Sequence, residues 1–231
     1  MTTQYGLDLP RRLALGREDF FVTEANALAL ALIDGWRNWA GGKLALVGPQ
    51  GAGKTHLAHV WAKDSGARIL PARDLALADI PALATGPVCV EDISDIAGQP
   101  EAENALFHLH NLVLAERHAL MLTAHTPPTD WGIRLPDLAS RMMGTQVARL
   151  GPPDDALLSA VLAKLFADRH SVPAPDVIPY LLRHMPRSFA AAGQVVAEID
   201  RRALATRGGA TRAKAREALA ALELCEASGD N

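Results

Sequence analysis

The chain has 231 residues, 49% apolar and 21% charged, a balance that suits a globular protein with a real core: one moderate domain, or a domain with a small appendage. A net charge of −3 argues against a large non-specific DNA-binding surface, although a local basic face stays open. Two distant cysteines, Cys89 and Cys225, argue against a disulfide framework, and the lack of an apolar signal core or a membrane-length run argues against export and insertion, so a soluble, cytoplasmic protein is expected.

Residues 1–15 lack periodicity, include Gly6 and Pro10, and are expected to form an extended tail. The spacing predicts a helix over 24–40, stopped at Gly41-Gly42. A short apolar strand, 43–47, runs into a glycine loop, and a helix follows over 54–66 with Leu57, Val60 and Trp61 at core spacing. Residues 67–70 read as a second strand, and 87–92 as a buried strand ending in two acids. A strong helix is predicted over 101–117, with Leu106, Leu109, Val113 and Leu114 as its core stripe. Strand 119–124, a breaker, a short helix over 135–142 and strand 146–150 complete the alternation. Strands that are apolar from end to end and alternate with helices indicate an α/β fold, a parallel five-stranded sheet covered on both faces. Past Gly151-Pro152-Pro153 the strands stop and four segments carry helical periodicity. The expected organisation is a tail (1–15), an α/β core (16–151), a small all-α unit (152–224) and a frayed end (225–231).

The glycine loop, Gly48-Pro49-Gln50-Gly51-Ala52-Gly53-Lys54-Thr55, satisfies the phosphate-loop pattern and sits between a strand and a helix, as that pattern requires. Glycines let backbone N–H groups close around phosphates, and the helix N-terminus adds partial positive charge. Lys54 is placed to reach the β- and γ-phosphates, and Thr55 to ligate Mg²⁺. Glu91 and Asp92, at the end of a buried strand, are the natural acids for the Mg²⁺ shell and for orienting an attacking water. A helical unit appended after the sheet speaks against a small-molecule kinase, whose substrate lid usually folds within the sheet.

Together these segments resemble the AAA+ family of the bacterial replication initiator DnaA, and most closely its shorter Hda-type branch, which promotes hydrolysis of DnaA-bound ATP. The loop 48–57, with His56-Leu57 after Lys-Thr, is similar to the DnaA-type loop. Residues 20–30, with Phe21 and Val22, look like the family's segment around adenine. Residues 122–128 are similar to the sensor-1 segment, 135–142 to the segment carrying an arginine finger, and 185–189 to the sensor-2 segment of the helical lid. The chain ends soon after the lid, leaving no room for the initiator's DNA-binding domain; this is read as favouring the Hda-type branch. The start of the chain, with Gln4, Leu7 and Leu9, resembles the pattern by which proteins dock on the replicative sliding clamp.

The resemblance implies a role for each matching residue. Arg141 is the expected arginine finger, acting in trans on ATP held by a neighbouring DnaA molecule, and Arg187 the sensor-2 arm that couples lid angle to nucleotide. ADP or ATP with Mg²⁺ is the implied cofactor, DnaA and the clamp are the implied partners, and homo-oligomerisation stays open. His125 stands where the family usually has an acid, and Glu91 where the initiator has an aspartate, so at most weak ATPase activity in cis is expected. An ATP-driven assembly protein of the helicase-loader kind and a plain nucleotide-dependent adaptor are the alternatives. His56 and His59 have metal-compatible spacing but no evident third ligand. The basic run Arg201, Arg202, Arg207, Arg212, Lys214 and Arg216 reads as a solvated lid face, with at most weak DNA contact.

Overall fold

A computed structural model describes Val22 and residues 26–206 and 208–228, the backbone alone over 223–228. Gln4, Leu7 and Leu9 of the expected clamp motif, and Phe21, lie outside the described residues.

Five strands, β1 (Lys43–Val47), β2 (Arg68–Pro71), β3 (Val88–Glu91), β4 (Leu120–Ala124) and β5 (Gln146–Arg149), form one sheet of order 2-3-4-1-5. Every pairing is parallel, as continuous apolar runs require of strands buried on both faces. The period of two divides each strand between two cores. Leu44 and Leu46 of β1 pack with Leu57, Ala58 and Trp61 of α2 (Lys54–Ser65) and with Ala29, Leu30 and Ile33 of α1 (Ala27–Asp34). Ala45 and Val47 face the opposite core. There Leu106, Leu109 and Val113 of α4 (Pro100–Ala115) meet Leu138 and Met142 of α5 (Pro136–Met143). The stripe expected on α4 is this core, with Leu114 partly buried at its edge.

Local structure departs from the expected pattern in places. The first helix stops at Asp34 instead of running to residue 40. The indole Nε1 of Trp39 donates to the carbonyl of Leu32 at 2.7 Å, filling an acceptor that the next helical turn would have used. Short 3₁₀ turns then lead to β1, and Trp39 stacks on Trp61 with ring centroids 5.3 Å apart. Between β2 and β3, where the sequence offers no clear period, lie a 3₁₀ segment (Ala72–Leu77) and the short α3 (Ile80–Leu83), capped by Asp79.

After β5 the described residues form the helices α6 (Asp155–Asp168), α7 (Val177–His184), α8 (Phe189–Ala205) and α9 (Arg212–Ser228). Asp154 caps α6 by accepting from the N–H of Leu157 at 2.7 Å, and Ser188 caps α8 by accepting from Ala191 at 3.0 Å. Leu158, Leu162, Phe166, Leu181, Val195 and Ile199 belong to a third core that these helices share. α9 runs to Ser228, past residue 225 where fraying was expected. No described helix is long and apolar enough to cross a membrane.

Candidate functional site

The phosphate-loop residues gather at the carboxyl ends of β1, β3 and β4. The loop leaves β1 at Gly48, whose N–H donates to Ala124 O at the end of β4. A Cβ at Gly48 would stand 2.5 Å from Leu150 O, so only glycine passes under the end of β5. Gly51 and Gly53 take positive φ, +73° and +95°, and turn the chain into α2. The first turn of α2, beginning at Lys54, carries the helix's positive pole. That cradle suits an anion of phosphate size.

Lys54 is buried and donates to Gly48 O at 2.8 Å and Pro49 O at 3.1 Å, with His125 Nδ1 at 3.5 Å. Desolvation lowers its pKa, while the charges of Asp92 and Glu91 pull the other way. Its ammonium therefore sits between the loop carbonyls and the acidic strand end. Asp92 adopts a left-handed conformation, φ +57°, and its N–H donates to Thr123 Oγ1 at 3.1 Å. Thr123, buried in β4, thus fixes the backbone where the acids emerge. Glu91 Oε1 is buried with no hydrogen-bond partner among the described residues. A buried oxygen without a donor, on the residue next to Asp92, fits a hard cation. Among the described residues there is no cluster of three or more His, Cys, Asp or Glu able to hold a metal unaided, so such a cation would depend on ligand phosphates and water. Cys89, beneath the acids, is fully buried, and burial with Glu91 and Asp92 pushes its thiol well above the usual range.

The helical unit meets this loop directly. The N–H of Phe189 donates to Gly51 O at 3.0 Å, and Ser188 lies so close that a Cβ at Gly51 would be 2.4 Å from its Cβ. Arg187, next to it, is exposed and forms a 2.7 Å ion pair with Asp155 in the first turn of α6. Sequence reasoning singled out Arg187 but missed Asp155 and Ser188, which read simply as a helix-end acid and cap. Val22 is 60% exposed.

Arg141 is not part of this cluster. It lies in the last turn of α5, exposed, its guanidinium 5.1 Å from the ring centre of Phe107 on α4. Its carbonyl accepts from Lys43 Nζ at 2.6 Å. Lys43 begins β1 and Gly48 follows its end, so the two sites lie at opposite ends of the strand, about 16 Å apart at 3.3 Å per residue. Two further ionisable groups hold this region. Glu103 is 2% exposed and accepts from the N–H groups of Gly98 (2.7 Å), Arg134 (3.1 Å) and Leu135 (2.7 Å). Desolvation opposes its ionisation, but these bonds and the Arg134 charge outweigh it and lower its pKa. His110 is buried at 3% exposure, and desolvation with Lys43 and Arg141 nearby lowers its pKa to about 4, against the hydrogen bond to Asn111.

The C-terminal basic run is largely engaged within the lid. Arg201 and Arg202 pair with Glu198, Arg202 also with Glu217, Arg212 stacks over Tyr180, and Lys214 donates to Gly209 O. Paired with Arg201 and Arg202, Glu198 has its pKa lowered to about 2 despite desolvation.

No protein-family model matches the sequence. Among solved structures, domain III of the Thermotoga maritima replication initiation protein DnaA is similar, with a TM-score of 0.78 and 17% identity over 91% of this chain and 98% of that one. DnaA from Aquifex aeolicus, bound to AMPPCP, gives a TM-score of 0.64 and 20% identity over 79% of this chain and 63% of that one. The AAA domain of FIGL-1 gives 0.67 and 12% over 90% and 83%. At such identities the likeness concerns architecture: the five-stranded parallel sheet with its flanking helices has the AAA+ fold seen in domain III of DnaA and in the AAA domain of FIGL-1.

Proposed function

We propose that this protein is an adenine-nucleotide-binding AAA+ regulator of replication initiation, of the Hda type, that promotes hydrolysis of ATP bound to DnaA. ADP or ATP occupies the loop 48–56, contacted by Lys54 and, from the lid, by Arg187. Thr55, Asp92 and Glu91 hold Mg²⁺ partly through water; the ion supplies charge neutralisation at the phosphates. The nucleotide sets the lid against the loop at Gly51. The protein then offers Arg141 to the triphosphate of a DnaA molecule docked on the α5 side. A guanidinium delivered across an interface stabilises charge on the transferring phosphoryl group, with known fingers contributing about 10³–10⁵ in rate. The sliding clamp recruits the protein through Gln4, Leu7 and Leu9.

The observation that carries this reading is the placement of Arg141: exposed, and at the opposite end of β1 from its own phosphate loop. A side chain there is out of reach of the nucleotide in cis and free to serve one in trans. Intrinsic turnover is weak in this scheme, because Lys54 and the Glu91-Asp92 pair bind nucleotide without a finger of their own.

The test is hydrolysis of DnaA-bound ATP with clamp loaded on DNA, comparing the parent with Arg141→Ala and with a chain lacking residues 1–9. The Arg141 variant loses stimulation while still binding ADP, and the truncated chain loses clamp affinity. A rate indifferent to Arg141 ends the proposal, and helicase binding without clamp affinity favours the loader reading.

A further inference from the structure

We propose that Lys43 is a positioning residue for Arg141: its buried ammonium, at the start of β1, holds the last turn of α5 and so fixes where the exposed guanidinium is presented. The inference rests on the reading of Arg141 as a finger in trans.

Lys43 is 9% exposed, and the partners of its Nζ are the carbonyl of Arg141 at 2.6 Å and Nε2 of His110 at 3.3 Å. Neither is a carboxylate. A buried ammonium without a counter-charge is costly, and burial together with the Arg141 charge lowers its pKa. The neutral imidazole makes the arrangement workable: Nδ1–H donates to Asn111 Oδ1 at 3.2 Å, which leaves the Nε2 lone pair for Lys43. His110 is thereby an acceptor that orients the ammonium toward one carbonyl.

That carbonyl belongs to the residue whose side chain matters. An ammonium at a helix C-terminus also complements its dipole. The other end of α5 is held in the matching sense, since the Glu103 carboxylate binds the N–H groups of Arg134 and Leu135 just before the helix. Glu103, Phe107 and His110 are spaced i, i+4 and i+7 on α4 and form one stripe. Along it lie the anchor for the start of α5, the ring beneath the Arg141 guanidinium and the group that aims Lys43. An eight-residue helix clamped at both ends by buried charges cannot rotate or slide without breaking charge-assisted bonds. A finger requires that constraint, because misplacement by about 1 Å can cost a factor on the order of a hundred in rate.

The experiment measures clamp-dependent hydrolysis of DnaA-bound ATP with the full chain as parent, Lys43→Met, Lys43→Gln, Arg141→Ala and the Lys43→Met/Arg141→Ala double variant. Melting temperature and ADP affinity in the variant's own loop report folding. Lys43→Met, or Lys43→Gln where Met does not fold, lowers the maximal rate by about tenfold to a hundredfold. The half-saturating concentration and ADP affinity stay at parent values, and the double variant is no slower than Arg141→Ala. If Arg141→Ala is slow but folded Lys43 variants run at the parent rate, the positioning role is overturned and the finger reading survives. If Arg141→Ala itself runs at the parent rate, both fall. Effects that add in the double variant, a raised half-saturating concentration, or failure of both Lys43 variants to fold make Lys43 a docking or folding residue and overturn the proposal.

Discussion

Phe189 donates its backbone N–H to the carbonyl of Gly51 at 3.0 Å, so the helical lid rests on the phosphate loop through a main-chain bond. The bond depends on what Gly51 lacks. Ser188, which caps α8, occupies the space where a side chain would begin. The angle of α8, and with it the position of Arg187, is therefore tied to the conformation of the loop. A ligand that reorders the loop must move or reset the lid.

Gly51→Ala is expected to break this tie. The residue has φ +73°, where an L side chain costs about 1–2 kcal/mol, and the new methyl group would lie 2.4 Å from Ser188 Cβ and 3.2 Å from its Cα. Urea unfolding without nucleotide should show a loss of roughly 2 kcal/mol, and a fluorescent ADP analogue should bind at least about tenfold more weakly. Parent-like values in both measurements would mean that lid and loop move independently.

Asp155→Ala should separate stability from ligand response. The Arg187–Asp155 pair is short, 2.7 Å, yet its side chains are 49% and 64% exposed, so the loss of stability should stay under about 1 kcal/mol. Removing Asp155 frees Arg187 for phosphate, and ADP or ATP affinity should rise by a factor of roughly two to ten, the ordinary range for one exposed charge. Arg187→Ala should lower it. Equal affinities in parent and both variants would reduce Arg187 to a surface partner of α6.

Glu103→Gln keeps the shape of the side chain but turns an amide toward a nest of N–H donors. Gly98, Arg134 and Leu135 now share one carboxylate, and a Gln can offer one oxygen. The expected cost is about 2–4 kcal/mol in chemical denaturation, large for an isosteric change. Faster amide exchange at Arg134 and Leu135 would localise it, and an unchanged unfolding midpoint would contradict it.

Most of the architecture was legible because it rests on local pattern. β1 after Lys43 and β4 apart from Thr123 are apolar, both strands are buried at every position, and the loop between β1 and α2 needs its glycines where the spacing puts them. The residues that escaped notice are those whose role depends on distant partners. Lys43 at a strand start reads as a solvated charge; its acceptor lies 98 positions away. Glu103 reads as a first-turn acid favoured by the helix dipole, and the loop it ties down is 31 positions on. The length of α1 failed for a nearer reason: the pattern over 24–40 does not say that Trp39 will turn back onto Leu32.

His110 and Glu103 should give the protein two separable acid transitions. The folded imidazole has a pKa of about 4 against a usual 6.5, because it is desolvated and faces two cations, Lys43 and Arg141, with Asn111 as its polar neighbour. Between those values the unfolded chain binds a proton that the fold refuses, so this stability is intact above pH 6.5 and declines as pH falls toward 4, at up to about 1.4 kcal/mol per unit. Glu103 works lower down. Its folded pKa lies below the usual 4.5, so its contribution is present above that value and is lost as pH falls through the folded one. His110→Gln retains an acceptor for Lys43 but cannot titrate. Urea unfolding from pH 7.5 down to about 3 should then show a flatter profile than the parent above pH 4, with the loss due to Glu103 at lower pH retained. Parallel profiles above pH 4 would show that the imidazole gains its proton without resistance.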